Sequence, residues 1–161
     1  NTIQPGSVTL SDAKVNGERV PVSADSDDPS VWRIQTPWRA GETLEISWQA
    51  ALIVPRGESV IGRTDESALL IGALPLPAVW ENGAWRTEPY YSNGDSFYSR
   101  IADYKVAMQI PAKFALAHTG TRMSYDSGRA YETYYIAAPS VREFAFALIP
   151  NAATAEAAAG A

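Results

Sequence analysis

The sequence predicts an all-β fold, an antiparallel β-sandwich of about nine to eleven strands. Three observations lead to this prediction. Short segments alternate apolar and polar residues, with the two-residue period of a half-buried strand. Eleven prolines and eleven glycines divide the chain into short pieces. No amphipathic segment of about 10 residues with helical period stands out before Pro150, so the pattern differs from the alternating strands and helices of an α/β fold.

The N-terminal part contains the clearest hairpin signal. Residues 8–10 and 20–22 alternate apolar and polar types on either side of Asn16-Gly17. Because Asn and Gly tolerate the positive φ angles of a type I′ turn, we predict a hairpin here. A strand is also expected at residues 31–34, and another at 43–50 after a turn at 39–42.

The rest of the chain continues the pattern. A second Asn-Gly turn at Asn82-Gly83 has a tryptophan on each side, Trp80 and Trp85. A hairpin is expected at residues 123–131, and further strands at residues 68–71, 104–110, 114–119 and 142–149. The alanine-rich residues 151–161 differ in composition from what precedes them. We therefore expect one sandwich domain over residues 1–150, followed by a short linker or tail.

Composition excludes several classes of function. The net charge is −5 and the basic residues are scattered, so no basic stripe is available for nucleic acid. The chain has no cysteine, which rules out disulfides and thiolate metal sites. No apolar run approaches the ~18 residues of a membrane span. The start at Asn1 is neither a methionine nor a signal peptide, so we expect a cut or processed part of a longer chain. A membrane-anchored, an extracytoplasmic and a cytoplasmic location all stay open.

Catalytic patterns are missing from the sequence. A catalytic zinc site needs about three protein ligands, and His118 is the only histidine. No Gly-x-Ser-x-Gly segment supports a serine triad with His118 as the base. Asp25, Asp27 and Asp28 could form a carboxylate pair or a calcium site, but the segment is better interpreted as a polar turn. We therefore assign no catalytic and no metal-binding residue, and no cofactor, to this chain.

Aromatic residues give the most informative functional signal, because they crowd one quarter of the chain. They could pack the loops of the sandwich, contact another domain, or form a stacking platform for a sugar or peptide. Packing combined with interdomain contact is the favoured interpretation. The candidate contact residues are Trp80, Trp85, Tyr90, Tyr91, Asp95, Phe97 and Tyr98.

Several motifs follow one another in a recognisable order. They are Arg39-Ala40-Gly41-Glu42-Thr43-Leu44, Asn82-Gly83-Ala84-Trp85, Glu88-Pro89-Tyr90, Gly94-Asp95-Ser96-Phe97-Tyr98-Ser99, Ala102-Asp103-Tyr104-Lys105-Val106, Ile110-Pro111 and Val141-Arg142-Glu143-Phe144-Ala145. Together they resemble the N-terminal β-sandwich domain of bacterial zinc metallopeptidases of the membrane alanyl aminopeptidase (aminopeptidase N) family. The likeness extends over nearly all of residues 8–149.

This resemblance implies a role without catalysis. In that family the zinc ligands and the catalytic glutamate lie in the following domain, so this chain would cover the catalytic domain and form one wall of the substrate cleft. Its partners would be that domain and, in the full-length protein, a peptide substrate. Between Ala68 and Val79 there is no Gln or Glu to match the residue that many family members place against the substrate's free amine.

Two other functions stay open from the residues alone. The chain could be an independent carbohydrate- or protein-binding β-sandwich module of an exported protein. Such a module predicts saturable binding by the isolated chain and an exposed, coplanar pair of aromatic rings. It could also be a structural sandwich with no ligand, for which a surface free of aromatic residues is expected.

Overall fold

The computed structural model describes residues 5–57, 59–87 and 98–150. Every regular element in these ranges is a β-strand, as the sequence predicts. The fourteen strands are β1 (Ser7–Val15), β2 (Glu18–Arg19), β3 (Val22–Ala24), β4 (Trp32–Ile34), β5 (Ile46–Ile53), β6 (Ile61–Arg63), β7 (Ala68–Leu70), β8 (Val79–Glu81), β9 (Ala84–Arg86), β10 (Ala102–Pro111), β11 (Phe114–His118), β12 (Thr121–Ser127), β13 (Tyr131–Val141) and β14 (Phe146–Pro150). The number exceeds the nine to eleven predicted, because strands of two or three residues are too short to show a period.

The chain divides into two compact units. The first consists of Asn1–Pro55 and Pro75–Tyr98, and the second of Arg56–Leu74 and Ser99–Ala161. The first unit contains the sheet β2-β1-β5 and the two-stranded sheets β3-β4 and β8-β9. The second contains the sheets β10-β13-β12 and β11-β14-β7-β6. All strand pairs are antiparallel.

Both Asn-Gly turns of the first unit form as predicted. Asn16 and Gly17 have φ angles of 51° and 85°, and Asn82 and Gly83 have φ angles of 53° and 81°. Two successive positive φ angles define a type I′ turn, whose twist matches that of the strands it joins. The first turn connects β1 to β2 and the second connects β8 to β9, so each hairpin is determined by local sequence.

The second unit contains a well-buried core. It is formed by Ile110, Tyr134, Ile136, Ala138 and Phe144, and Phe144 is only 2% exposed. The predicted alternation at residues 104–110 is confirmed, because Tyr104, Val106 and Met108 pack against this core from β10. The eleven-residue strand β13 was not predicted beyond its first residue.

Two predicted strands begin later in the structure than in the sequence pattern. The strand expected at 43–50 runs from Ile46 to Ile53, because Glu45 instead binds the first turn. The Asn16 N–H donates to the Glu45 carbonyl at 2.7 Å, and the Glu45 N–H donates to Asn16 Oδ1 at 2.9 Å. The strand expected at 142–149 begins at Phe146, because the Arg142 carbonyl accepts a hydrogen bond from Ser99 Oγ at 2.9 Å. The predicted tail at 151–161 lies outside the described residues.

Among the described residues there is no helix with the length and apolar character needed to cross a membrane.

Candidate functional site

A tryptophan pair on the β8–β9 hairpin forms the centre of the candidate site. Trp80 and Trp85 are direct cross-strand partners. In a hairpin with a two-residue turn, the residue pair next to the turn, here Glu81 and Ala84, is hydrogen bonded. The following pair, Trp80 and Trp85, is therefore a non-hydrogen-bonded pair, in which the side chains lie closest together. The two indole rings accordingly meet edge to face, with centroids 5.0 Å apart and planes at 73°. The type I′ turn at Asn82-Gly83 thus fixes the register that brings both rings to one face.

A third tryptophan joins this pair from a distant part of the chain. Trp38 lies between β4 and β5, in front of a turn in which the Glu42 N–H donates to the Arg39 carbonyl at 3.1 Å. The Glu42 carboxylate closes the same turn by accepting from the Arg39 N–H at 2.9 Å. The Trp38 ring lies 6.3 Å from that of Trp80 and 5.7 Å from that of Trp85. We refer to these three residues as the tryptophan cluster.

The tryptophan cluster is open to solvent. Trp38, Trp80 and Trp85 are 43%, 48% and 45% exposed, whereas Val79, the neighbour of Trp80 on β8, is buried. Successive side chains of a strand point to opposite faces, so β8 buries one face and presents its tryptophan on the other. Contiguous exposed apolar surface marks interaction sites, and tryptophan is enriched among the residues that dominate binding energy.

The remaining two of the five tryptophans line a small apolar cleft in the same unit. Its volume is about 170 Å³, below the roughly 300–1,000 Å³ of sites for drug-sized ligands. The indole nitrogen of Trp32 is buried and has no hydrogen-bond acceptor among the described residues. The lining residues are Leu10, Ser30, Trp32, Ile34, Ile46, Trp48, Pro75, Leu76, Pro77 and Ala78. The cleft has room for one large side chain or a benzene-sized molecule.

The structure brings together only some of the residues predicted from sequence. Trp80 and Trp85 form the cluster, whereas Tyr98 is exposed and takes no part in the ring contacts of the described residues. The candidate residues Tyr90, Tyr91, Asp95 and Phe97 lie outside the described residues. The sequence patterns did not predict a role for Trp38. A signal was present, because Trp38 directly follows Pro37 in a segment without strand alternation, and a tryptophan there has no strand face to occupy.

The aspartates at residues 25–28 form the polar turn that the sequence predicts. Asp25 Oδ1 accepts from the N–H groups of Asp27 and Asp28 at 2.9 and 3.3 Å, and Asp25 Oδ2 accepts from Arg33 Nε at 2.7 Å. The pKa of the Asp25 carboxyl is lowered most by the hydrogen bond from the Asp27 N–H, and next by those from the Arg33 side chain and the Asp28 N–H. The Asp28 carboxylate caps Ser30 in the same way, accepting from its N–H at 2.9 Å. These carboxylates are therefore engaged in holding the turn.

His118 occupies the end of β11, and its Nδ1 lies 3.1 Å from the Thr119 carbonyl oxygen. In the described ranges no three His, Cys, Asp or Glu side chains are grouped so that they could hold a metal ion.

The comparisons with known proteins find no relative. No family model, no curated protein and no solved structure matches this chain. The resemblance to the aminopeptidase N sandwich therefore stays a prediction that depends on the motifs alone.

Proposed function

We propose that this chain is the non-catalytic N-terminal domain of a zinc-dependent metallopeptidase of the aminopeptidase type. It packs on the catalytic domain and forms one wall of the substrate cleft, while the zinc and its ligands belong to the domain that follows. The motif order supports the family, and the exposed tryptophan cluster supports the docking role. Trp38, Trp80 and Trp85 form the surface that contacts the catalytic domain.

The size of the tryptophan cluster fits the centre of an interface. An aromatic side chain buries about 150–250 Å² when fully covered, and these three are 43–48% exposed. Each ring therefore has roughly 100 Å² left to bury, or about 300 Å² for the cluster. A stable interface buries about 800 Å² on each partner. The cluster would supply the apolar centre, and the polar surface around it would supply the rim.

The ring geometry favours a protein partner over a sugar. A sugar ring stacks on one flat aromatic face, and a sugar platform predicts coplanar rings. In the tryptophan cluster the ring planes meet at 85°, 73° and 38°. Edge-to-face packing uses part of each ring to hold its neighbour, and it leaves a faceted surface that suits the side chains of another domain.

The reading frame after Ala161 gives the first test. We expect a His-Glu-x-x-His helix, with a further glutamate downstream, in the parent protein. The domain that contains it, produced separately, should bind this chain in isothermal titration calorimetry. Trp85→Ala should weaken the binding by about 30-fold or more, as for an interface residue worth ≥ 2 kcal/mol. The matched control is Tyr131→Ala, because Tyr131 is also an exposed aromatic residue, 55% exposed against 45% for Trp85, but lies on β13 in the second unit.

Three results would contradict the proposal. A parent without the zinc-binding helix would remove the family assignment. Equal weakening by Trp85→Ala and Tyr131→Ala would remove the tryptophan cluster as the docking surface. Zinc-dependent peptidase turnover by this chain alone would show that it carries catalytic residues after all. Saturable binding of an oligosaccharide that is lost in Trp85→Ala would instead support the independent binding module.

A further inference from the structure

The outer edge of β5 is unpaired within the described residues. The sheet order is β2-β1-β5, and β1 pairs with β5 from Ser7↔Ile53 to Val15↔Ile46. No other described strand pairs with β5. Every second residue of β5 therefore directs its backbone N–H and C=O away from the sheet. Such a row of free groups is a template for another strand.

This edge lacks the protection that the other sheet edges have. Proteins shield edges with charged residues, proline, bulges or very short strands. At the other end of the same sheet, β2 has only two residues, both charged. In the second unit, β10 and β12 carry charged side chains, β6 has three residues, and β11 has five and ends in a histidine. By contrast, β5 has eight residues and contains no charge, proline or glycine.

The two faces of β5 differ in character. Ile46, Trp48 and Leu52 alternate on the face that includes Leu10 of β1, and Ile46 and Trp48 line the apolar cleft. The opposite face carries Ser47 and Gln49, followed by Ala51 and Ile53, and is the more polar of the two. The bulge in this sheet lies on β1, between Ser11 and Lys14, so it does not interrupt the outer edge of β5. A partner strand must match this alternation over seven or eight residues.

We propose that β5 pairs antiparallel with β5 of a second copy of this chain, which gives a two-fold symmetric dimer. A strand is its own complement in this arrangement, because directly opposite residues share a face. The apolar residues of one copy meet those of the other. With the axis at Gln49, Ser47 meets Ala51 and Gln49 meets its own copy; with the axis at Ala50, Gln49 meets Ala51 and Ser47 meets Ile53. No like charges are brought together, since β5 has none. The sheet then continues as β2-β1-β5-β5-β1-β2.

The proposed dimer is closed. A two-fold contact uses the same surface on both copies, and the outer strand on each side is the short, charged β2. Directly opposite residues must lie on the same face of the sheet. The two-fold axis therefore passes between one residue of β5 and the same residue of the second copy, and not midway between two neighbouring residues. An axis at Gln49 or at Ala50 overlaps nearly the whole length of β5. The tryptophan cluster is not part of this contact, so the dimer does not depend on the function proposed above.

Sedimentation equilibrium of the full chain tests the dimer. We expect wild-type chain to sediment as a dimer that dissociates on dilution. Gln49→Lys places like charges at or beside the two-fold axis and should weaken self-association about 10-fold or more. Thr9→Lys is the matched control. It adds the same charge to an exposed position on the same polar face, but on the inner strand β1, opposite Ala51.

Cysteine cross-linking tests the register, because the chain has no cysteine of its own. Residues opposite one another in an antiparallel pair have Cβ atoms about 4.5–5.5 Å apart, close enough for a disulfide after a small adjustment. Gln49→Cys or Ala50→Cys should therefore form a covalent dimer on mild oxidation. Ile53→Cys should not, since the two Ile53 positions would lie roughly 20–27 Å apart along the strands.

The outcomes separate clearly. A chain that stays monomeric at every concentration would overturn the proposal. So would a dimer that persists in Gln49→Lys, if cysteines at residue 53 cross-link as well as cysteines at residues 49 and 50. If Gln49→Lys fails to fold by circular dichroism, the cross-linking pattern decides. A dimer abolished by Trp85→Ala, with no cross-link at 49 or 50, would place self-association at the tryptophan cluster and also refute β5 pairing.

Discussion

Trp85→Ala is the substitution that most directly tests the tryptophan cluster. Trp85 is 45% exposed, so slightly more than half of its surface is covered, which corresponds to about 100 Å². At about 25 cal/mol per Å², removing this contact costs about 2.5 kcal/mol. Each of its two ring pairs adds about 0.5–1.5 kcal/mol, and the area term is an upper estimate. We expect the free energy of unfolding of the first unit to fall by about 3 kcal/mol.

Two measurements together check this expectation. Urea unfolding followed by tryptophan fluorescence gives the change in stability. Far-UV circular dichroism gives the coupling of the rings, because two indoles held edge to face at 5.0 Å produce an exciton couplet. Trp85→Ala should lower stability and abolish the couplet of the Trp80–Trp85 pair. Trp85→Phe, which retains an aromatic ring, should recover more than half of the lost stability without restoring the couplet.

Trp48→Phe controls for the loss of a tryptophan as such. Trp48 lines the cleft and takes no part in the tryptophan cluster, so the couplet should persist in this variant. The reasoning is refuted if Trp85→Ala changes stability by less than about 0.5 kcal/mol, the range of an ordinary surface substitution. It is also refuted if the couplet keeps its full wild-type amplitude in Trp85→Ala. The Trp38–Trp80 pair, with ring centroids 6.3 Å apart, remains in this variant and accounts only for a residual couplet.

Two further predictions concern pH. Hydrogen bonds from the Asp27 N–H, the Arg33 side chain and the Asp28 N–H lower the pKa of Asp25. This carboxylate therefore stabilises the fold at pH values above its ordinary pKa of 3.8. The stabilisation is lost as pH falls through the lower pKa of the folded state. Asp25→Asn should have a lower melting temperature than wild type at neutral pH, and the difference should shrink below pH 3.8. A difference that stays constant with pH would show that the charge of Asp25 does not stabilise the turn. Burial first, and then the hydrogen bond to Glu132, raises the pKa of Tyr134 to about 12. The stabilisation that Tyr134 contributes is complete at pH values below its ordinary pKa of 10.0. It is lost as pH rises through the folded-state pKa of about 12. The pKa values of Tyr104, Tyr125 and Tyr135 are raised as well, so ultraviolet titration should show several late-ionising tyrosines, and Tyr134→Phe should remove the component with a pKa of about 12.

Local sequence accounts for the parts of the fold that were predicted. The two Asn-Gly turns form because positive φ angles at Asn82 and Gly83 are a property of those residues and not of their surroundings. The alternation of residues 104–110 predicts β10 because one face of a long strand must be buried. Both signals lie within a few neighbouring residues, so no knowledge of tertiary contacts is needed to recognise them.

Signals that depend on distant partners were missed. Trp38 meets Trp80 and Trp85 from more than forty residues away, and nothing near it in sequence specifies that contact. Most of β13 was missed because its residues 134–138 are all apolar and do not alternate, and Pro139 follows them. The structure accommodates this proline at an irregularity of the ladder, where Ala138 pairs with Tyr104 and Val141 pairs with Ala102. Proline lacks an N–H, so a strand retains it most readily where pairing is already broken.

The two proposed surfaces differ in the chemistry that holds them together, and this makes them separable. The tryptophan cluster acts through side chains, so removing the Trp85 ring leaves the backbone edge of β5 intact. The β5 edge acts through backbone hydrogen bonds, so a charge at Gln49 leaves the rings in place. If both proposals hold, each dimer presents two tryptophan clusters. Docking to a partner that also has two copies of its site would then gain by avidity, without any new contact. Gln49→Lys should therefore weaken docking to a dimeric partner while leaving the affinity for a single catalytic domain unchanged.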